Sequence, residues 1–403
     1  MRRLAVWAVM VFVFSVPWQN AVTFPGIGTL SSVLGAAAFA VGAGVSLLSG
    51  RLRRIPVFLV VFGALTAWCA ASYFWSAAPD LTVGRVQTLV QLLAMAWLVW
   101  QVCGDEDVVP GLMLAYLAGA YVVIAATSLT FVSQLASGAD RFSPQGFNPN
   151  GVAIIVALGI PMAWFVLGGE LRTPLRPGVL AYPFAALATV VLTASRGGLV
   201  TAVVACAVIV LARGPWRGAH RPGLIAATSA ALLAGAALLP TLAQALSRSV
   251  ERLSGTTDAL RTGDLNHRQE IWSAGFSLLS GRPLTGVGAG AFPEAIRGIL
   301  GYSTVPHNAF ISILVDTGLI GLGLFGLALL VAALPLARLP REEALTLGVL
   351  FAALIVSLLP ANQEIHKATW LVLALIVSRA PLLLGGRPAL RPASQEVRHG
   401  PVT

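Results

Sequence analysis

Charge is what this 403-residue chain has least of: Asp, Glu, Lys and Arg make up 10% of it, against roughly 25% in a soluble domain. With 57% hydrophobic residues and a mean hydropathy of +0.83, the chain lacks the polar surface that a soluble globule needs. Cysteine is scarce too. Cys69, Cys103 and Cys206 fall in apolar runs with neither paired spacing nor a CxxC, so buried structural thiols are expected rather than disulfides. The five histidines are scattered and no DxD-type acidic cluster lies in a predicted outer loop, so neither a metal nor any other cofactor is expected. The glycine-rich run 286–290 lacks a following Gly-Lys-Ser/Thr and is no Walker loop. The net charge of +10 reads as a basic face against anionic lipid, with no nucleic acid implied.

What the chain has in quantity is apolar runs long enough to cross about 30 Å of hydrocarbon as helix. They fall near residues 4–20, 28–49, 55–76, 85–103, 108–133, 150–169, 177–194, 197–213, 222–246, 307–336, 343–360 and 366–385. This predicts an all-α polytopic membrane protein of about 12 transmembrane helices. The first run follows Arg2-Arg3 but has no small-residue cleavage site after it, so it reads as a retained span. Residues 1–385 form one transmembrane domain, and 386–403 a cytoplasmic, disordered tail rich in Pro and Arg. Of the 26 Lys and Arg, all but ten fall on one side of the spans, and six of those ten lie in a single long loop, 245–305. The imbalance in the short loops puts both termini in the cytoplasm and the long loop outside.

Several polar groups sit where lipid forbids them. Ser195-Arg196-Gly197-Gly198 interrupts an otherwise continuous apolar run and holds Arg196 at the membrane surface, facing a ligand or snorkelling to the interface. Arg268 and Trp272 are four apart on a predicted helical segment from Asn266, hence on one face. That pairing suits an anionic or sugar-bearing ligand, and equally an interfacial helix with Trp in the headgroup belt. Arg282-Pro283-Leu284-Thr285-Gly286-Val287-Gly288-Ala289-Gly290 is a turn whose backbone can approach a ligand or pack on the helices. His307-Asn308 heads the next span, where imidazole is suited to accept a proton or to cap the helix. Asp316, nine residues on, is an ionisable group inside a span: functional, or paired with a neighbouring helix.

Together these motifs resemble the O-antigen ligase and O-antigen polymerase superfamily of bacterial membrane glycosyltransferases. Phe74-Trp75-Ser76 with Pro79, Arg141 with Asn148-Pro149-Asn150, and Asp316-Thr317-Gly318-Leu319-Ile320-Gly321 extend the likeness over residues 70 to 325. The resemblance implies a metal-independent, inverting transferase of GT-C architecture in the cytoplasmic (inner) membrane, with its active site on the periplasmic or outer face. Its donor would be a glycan on undecaprenyl pyrophosphate. Its acceptor would be lipid A-core oligosaccharide for a ligase, or a second lipid-linked glycan for a polymerase. By motif the catalytic roles carry over to Arg196, Arg268 and His307, with Arg141, Asn150, Trp272, Arg282, Asn308 and Asp316 as substrate contacts. Trp272 and Phe292 are expected as a sugar platform or a lipid-facing wall, and Asp316 as a group that tunes His307. A flippase also fits twelve spans, but arginines gathered at one face favour interfacial chemistry over alternating access.

Overall fold

A computed structural model describes residues 1–26, 28–50, 52–104, 108–134, 139–169, 171, 173–212, 247, 250, 251 and 268–379. The expected span at 222–246, the C-terminal tail and Arg248, Arg252 and Arg261 of the long loop lie outside these residues. Eight helices precede the loop: α1 (Arg2–Ser15), α2 (Leu30–Leu48), α3 (Val57–Ala71), α4 (Pro79–Val102), α5 (Val108–Ser133), α6 (Pro149–Gly168), α7 (Arg176–Thr193) and α8 (Arg196–Leu211). Two short loop helices follow, α9 (Arg268–Leu279) and α10 (Phe292–Leu300), and then α11 (Ala309–Ala333), α12 (Arg341–Ser357) and α13 (Lys367–Arg379). The one sheet among the described residues is a two-stranded antiparallel ribbon, Thr23–Phe24 with Gly28–Thr29, that leads into α2.

Eleven of the twelve predicted spans thus coincide with helices, and among the described residues seven helical segments are long and apolar enough to cross a membrane. The chain is an all-α, multi-pass membrane protein. Large apolar side chains such as Val60, Val90, Leu129, Val203 and Leu330 are exposed on the outer faces of these helices, as hydrocarbon solvent permits. Two helices form the interior. α6 is 83% buried over its apolar window, and every residue of α13 from Ala368 to Ser378 is buried. Trp370 of α13 stacks on Phe62 of α3 with ring centroids 3.5 Å apart and planes 4° from parallel.

The motif residues explain where the helices begin. Asn148 caps α6 by accepting from Asn150 N at 2.9 Å, and Ser195 caps α8 by accepting from Gly198 N at 3.0 Å. Asn308 caps α11 through Phe310 N and Ile311 N at 2.9 and 3.1 Å. Each side-chain oxygen satisfies amide donors that a helix start otherwise leaves bare, which is costly near hydrocarbon. Proline stands in the first turn of α4 and α6, where its missing N–H costs nothing. These helix starts lie at one end of the assembly, and the loop helices pack there.

Candidate functional site

At that end the α7–α8 reversal is pinned by side chains from a distant loop. Arg141 donates from Nη2 to Asn150 Oδ1 at 2.7 Å and from Nε to the Thr193 carbonyl at 3.2 Å. Ser195 Oγ donates to the same Asn150 oxygen at 2.8 Å. Ala194 takes a left-handed backbone, φ 47°, to complete the turn. Arg196 is the first residue of α8 and half-buried, at the positive end of the helix dipole. Arg141 and Asn150 therefore build the support under Arg196.

Arg268 and Trp272 share a face of α9, as their spacing predicts, and both reach the ends of other helices. Arg268 Nη2 donates to the Pro360 carbonyl at 3.3 Å, in the turn between α12 and α13. The same proline packs on the start of α8: a Cβ added at Gly197 would lie 2.6 Å from Pro360 Cβ. Pro360 thus joins the element carrying Arg196 to the side chain of Arg268. Trp272 Nε1 donates to the carbonyl of buried Pro306 at 2.8 Å, fixing the residue before His307.

His307 has φ 50°, a left-handed backbone that non-glycine residues seldom adopt and that stores strain at functional sites. Its half-buried ring is held below the usual imidazole pKa, first by loss of solvent and then by the Arg268 guanidinium nearby. Both effects favour the uncharged ring, which has one nitrogen able to accept a proton. Arg268 is also desolvated, which lowers its own pKa; an arginine remains cationic near neutrality regardless.

The glycine-rich turn and α11 fit together backbone to backbone. At Gly318 the helix breaks, with φ 69° and ψ −171°. The break frees carbonyls and an amide of the helix, and the turn pairs with them. Val287 N donates to Val315 O at 2.9 Å, Gly288 N to Asp316 O at 2.8 Å, and Leu319 N to Pro283 O at 2.9 Å. A Cβ at Gly318 would overlap the Leu284 carbonyl, and one at Gly286 would stand 2.5 Å from Val315 O, so both positions require glycine. Asp316 closes the arrangement: Oδ2 accepts from Gly290 N and Oδ1 from Phe292 N, each at 2.9 Å.

Three of the residues singled out in the sequence have structural partners here. Asp316 is 3% exposed with both oxygens accepting from the turn, so it braces the turn. Phe292 is 1% exposed within a small loop core with Ile271, Ile296 and Val315, and offers no sugar platform. Asn308 spends its oxygen on the cap of α11. Arg282, by contrast, is exposed and ties the turn to the α3–α4 connection through the Trp75 carbonyl at 2.9 Å. Asp316→Asn is expected to lower the melting temperature clearly, because the amide keeps one acceptor oxygen where two amide donors need satisfying. The loss is about 1–3 kcal/mol for the orphaned buried N–H, read by thermal unfolding in detergent; an unchanged midpoint would remove the bracing role.

Sequence reasoning missed an ion pair, Arg85 with Glu364 at 3.4 Å, whose side chains are 20% and 5% exposed. Arg85 was expected at the outer end of a span starting at residue 85, but α4 starts at Pro79 and carries it further into the helix. An arginine in an apolar segment was the available signal. Its partner, 279 residues away, was not.

Residues 181–326 match a family model described as O-Antigen ligase. The match supports the O-antigen ligase and polymerase superfamily. The matched stretch is less than half of the chain, yet it contains Arg196, Arg268, His307 and the whole turn that Asp316 braces. No curated protein matches the chain. The family suggests a glycosyltransferase-like membrane enzyme, of the O-antigen ligase type or a related polymerase, that uses lipid-linked glycans.

Proposed function

We propose that the chain is an O-antigen ligase-type glycosyltransferase that moves a glycan from undecaprenyl pyrophosphate to a sugar hydroxyl of lipid A-core oligosaccharide. The observation that carries this reading is the gathering of Arg268, the half-buried His307 and, through Pro360, the α8 start bearing Arg196. A pyrophosphate leaving group concentrates negative charge. Two guanidiniums and a helix N-terminus stabilise it as it departs, the part played by a divalent ion in other transferases. His307 takes the proton from the acceptor hydroxyl as that oxygen attacks the anomeric carbon, and the C–O bond to pyrophosphate breaks in the same step. The configuration at that carbon inverts. Arg282, exposed at the edge of the turn, and Trp272 are the remaining side chains suited to contact glycan.

Two acceptors distinguish the ligase from a polymerase. Purified protein given the lipid-linked donor should release undecaprenyl pyrophosphate in the presence of lipid A-core, in excess EDTA as well as without it. Release only with a second lipid-linked unit would make the chain a polymerase. Dependence on added Mg²⁺ or Mn²⁺ would remove the arginine clamp, and no release with either acceptor would return the chain to the transporter class. For sidedness, a cysteine at exposed Ser280 of the loop should react with a membrane-impermeant maleimide in spheroplasts while one at exposed Ser49 stays protected; the reverse pattern would put the site in the cytoplasm.

A further inference from the structure

Away from the arginines and His307, a cavity of about 490 Å³ lies between α1, α2 and α4. Its size is within the roughly 300–1,000 Å³ of small-molecule sites. Its floor is apolar, formed by Phe12, Phe39, Leu92, Met95 and Leu98, and its mouth is polar, with Thr29, Ser32 and Lys367. Thr29 opens α2 and Lys367 opens α13, so the mouth lies at the end of the protein that carries the candidate site.

Lys367 is the anomaly. Its ammonium is partly buried and donates to Ser32 Oγ at 3.3 Å. Among the described residues it has no carboxylate at ion-pair distance: Glu364, three residues before it, is taken by Arg85. A cation held at the rim of an apolar cavity without a counter-charge is costly unless an anion arrives there. The cavity is also open to the bilayer. Only 22% of the α2 window is buried, the lowest share among the seven candidate spans. Phe39, which lines the cavity, is itself 38% exposed on that helix.

We infer that this cavity binds an anionic phospholipid of the surrounding membrane, with its phosphate at Lys367 and Ser32 and one acyl chain on the Phe12, Phe39 and Met95 floor. One ammonium matches the single negative charge of a phosphodiester. A free inorganic anion would leave the apolar floor unused, and a glycan-bearing pyrophosphate would meet one cation here against the two arginines proposed to hold it. The inference does not depend on which transfer reaction the arginines serve.

The test uses the full chain reconstituted in phosphatidylcholine vesicles that contain a small share of phosphatidylglycerol with a diazirine in one acyl chain. After irradiation, labelled peptides are mapped by mass spectrometry. Crosslinks should concentrate on residues 30–39 of α2 and 88–98 of α4. Lys367→Gln should reduce them about tenfold, Lys367→Arg should retain them, and Ala94→Phe, which fills the cavity from α4, should remove them. The same diazirine on phosphatidylcholine should label these segments no more than other bilayer-facing ones. Equal labelling in the wild type and Lys367→Gln, or equal labelling by the two lipids, would overturn the proposal. So would full competition by inorganic phosphate, which would identify a free-anion site, or by the undecaprenyl-pyrophosphate glycan, which would identify a second donor site.

Discussion

Alanine at Arg268 or at Arg196 should lower turnover by about 10²–10³ or more, the scale seen when a fixed donor to a developing charge is removed. Donor binding should weaken as well, because each guanidinium makes a charge-assisted contact of roughly 1.5–3 kcal/mol. Arg268 has a second task, since its cation depresses the His307 pKa. Arg268→Gln is therefore expected to raise that pKa, which ring NMR of labelled histidine would detect. Lysine at either position should restore only part of the rate, as a point charge lacks the two-pronged fork that matches phosphate oxygens. If Arg268→Ala binds and transfers like the wild type in folded protein, Arg268 is only a strut between α9 and Pro360.

His307→Ala should separate binding from chemistry. The base acts on the acceptor, so the variant is expected to bind lipid-linked donor nearly normally while losing about 10²–10⁴ in rate. The wild type carries a matching pH signature. A base must be unprotonated, and burial together with the Arg268 cation holds the His307 pKa below the ordinary imidazole value. The rate should therefore be flat through neutrality and fall only as the pH drops below that ordinary value. A rate that instead climbs through pH 7 to 8 would mean that a group with a higher pKa is the base. Full activity of folded His307→Ala would leave the histidine a residue of the turn before α11, with Glu270 the next candidate.

Much of this arrangement was legible in the sequence because it rests on local chemistry. Ser195, Asn148 and Asn308 were singled out in motifs directly before apolar runs, although the sequence reading did not assign them the helix caps they form. Arg268 and Trp272 were assigned one helix face by their spacing of four, which holds whatever the helix packs against. Asp316 was singled out as an ion in a span, but its role depends on the backbone break at Gly318 and on three turn glycines with positive φ, Gly286, Gly288 and Gly290. A helical pattern hides such a break, because Gly318 sits well inside the predicted apolar span 307–336. Pro360 and Glu364 were invisible for a different reason. Each acts through a long-range contact, with Arg268 and with Arg85, and no local period reports a partner across the assembly. The helix count rests on hydropathy alone over residues 222–246, outside the described residues.

A single displacement driven by His307 and released by two arginines makes a stereochemical demand that no binding experiment shares. With purified protein, undecaprenyl-pyrophosphate glycan of known anomeric configuration and lipid A-core acceptor, the new glycosidic bond can be read by its anomeric proton coupling in NMR. The account predicts the configuration opposite to that of the donor; a retained configuration would contradict it, requiring a covalent glycosyl intermediate on the protein and a nucleophile where the account has a base.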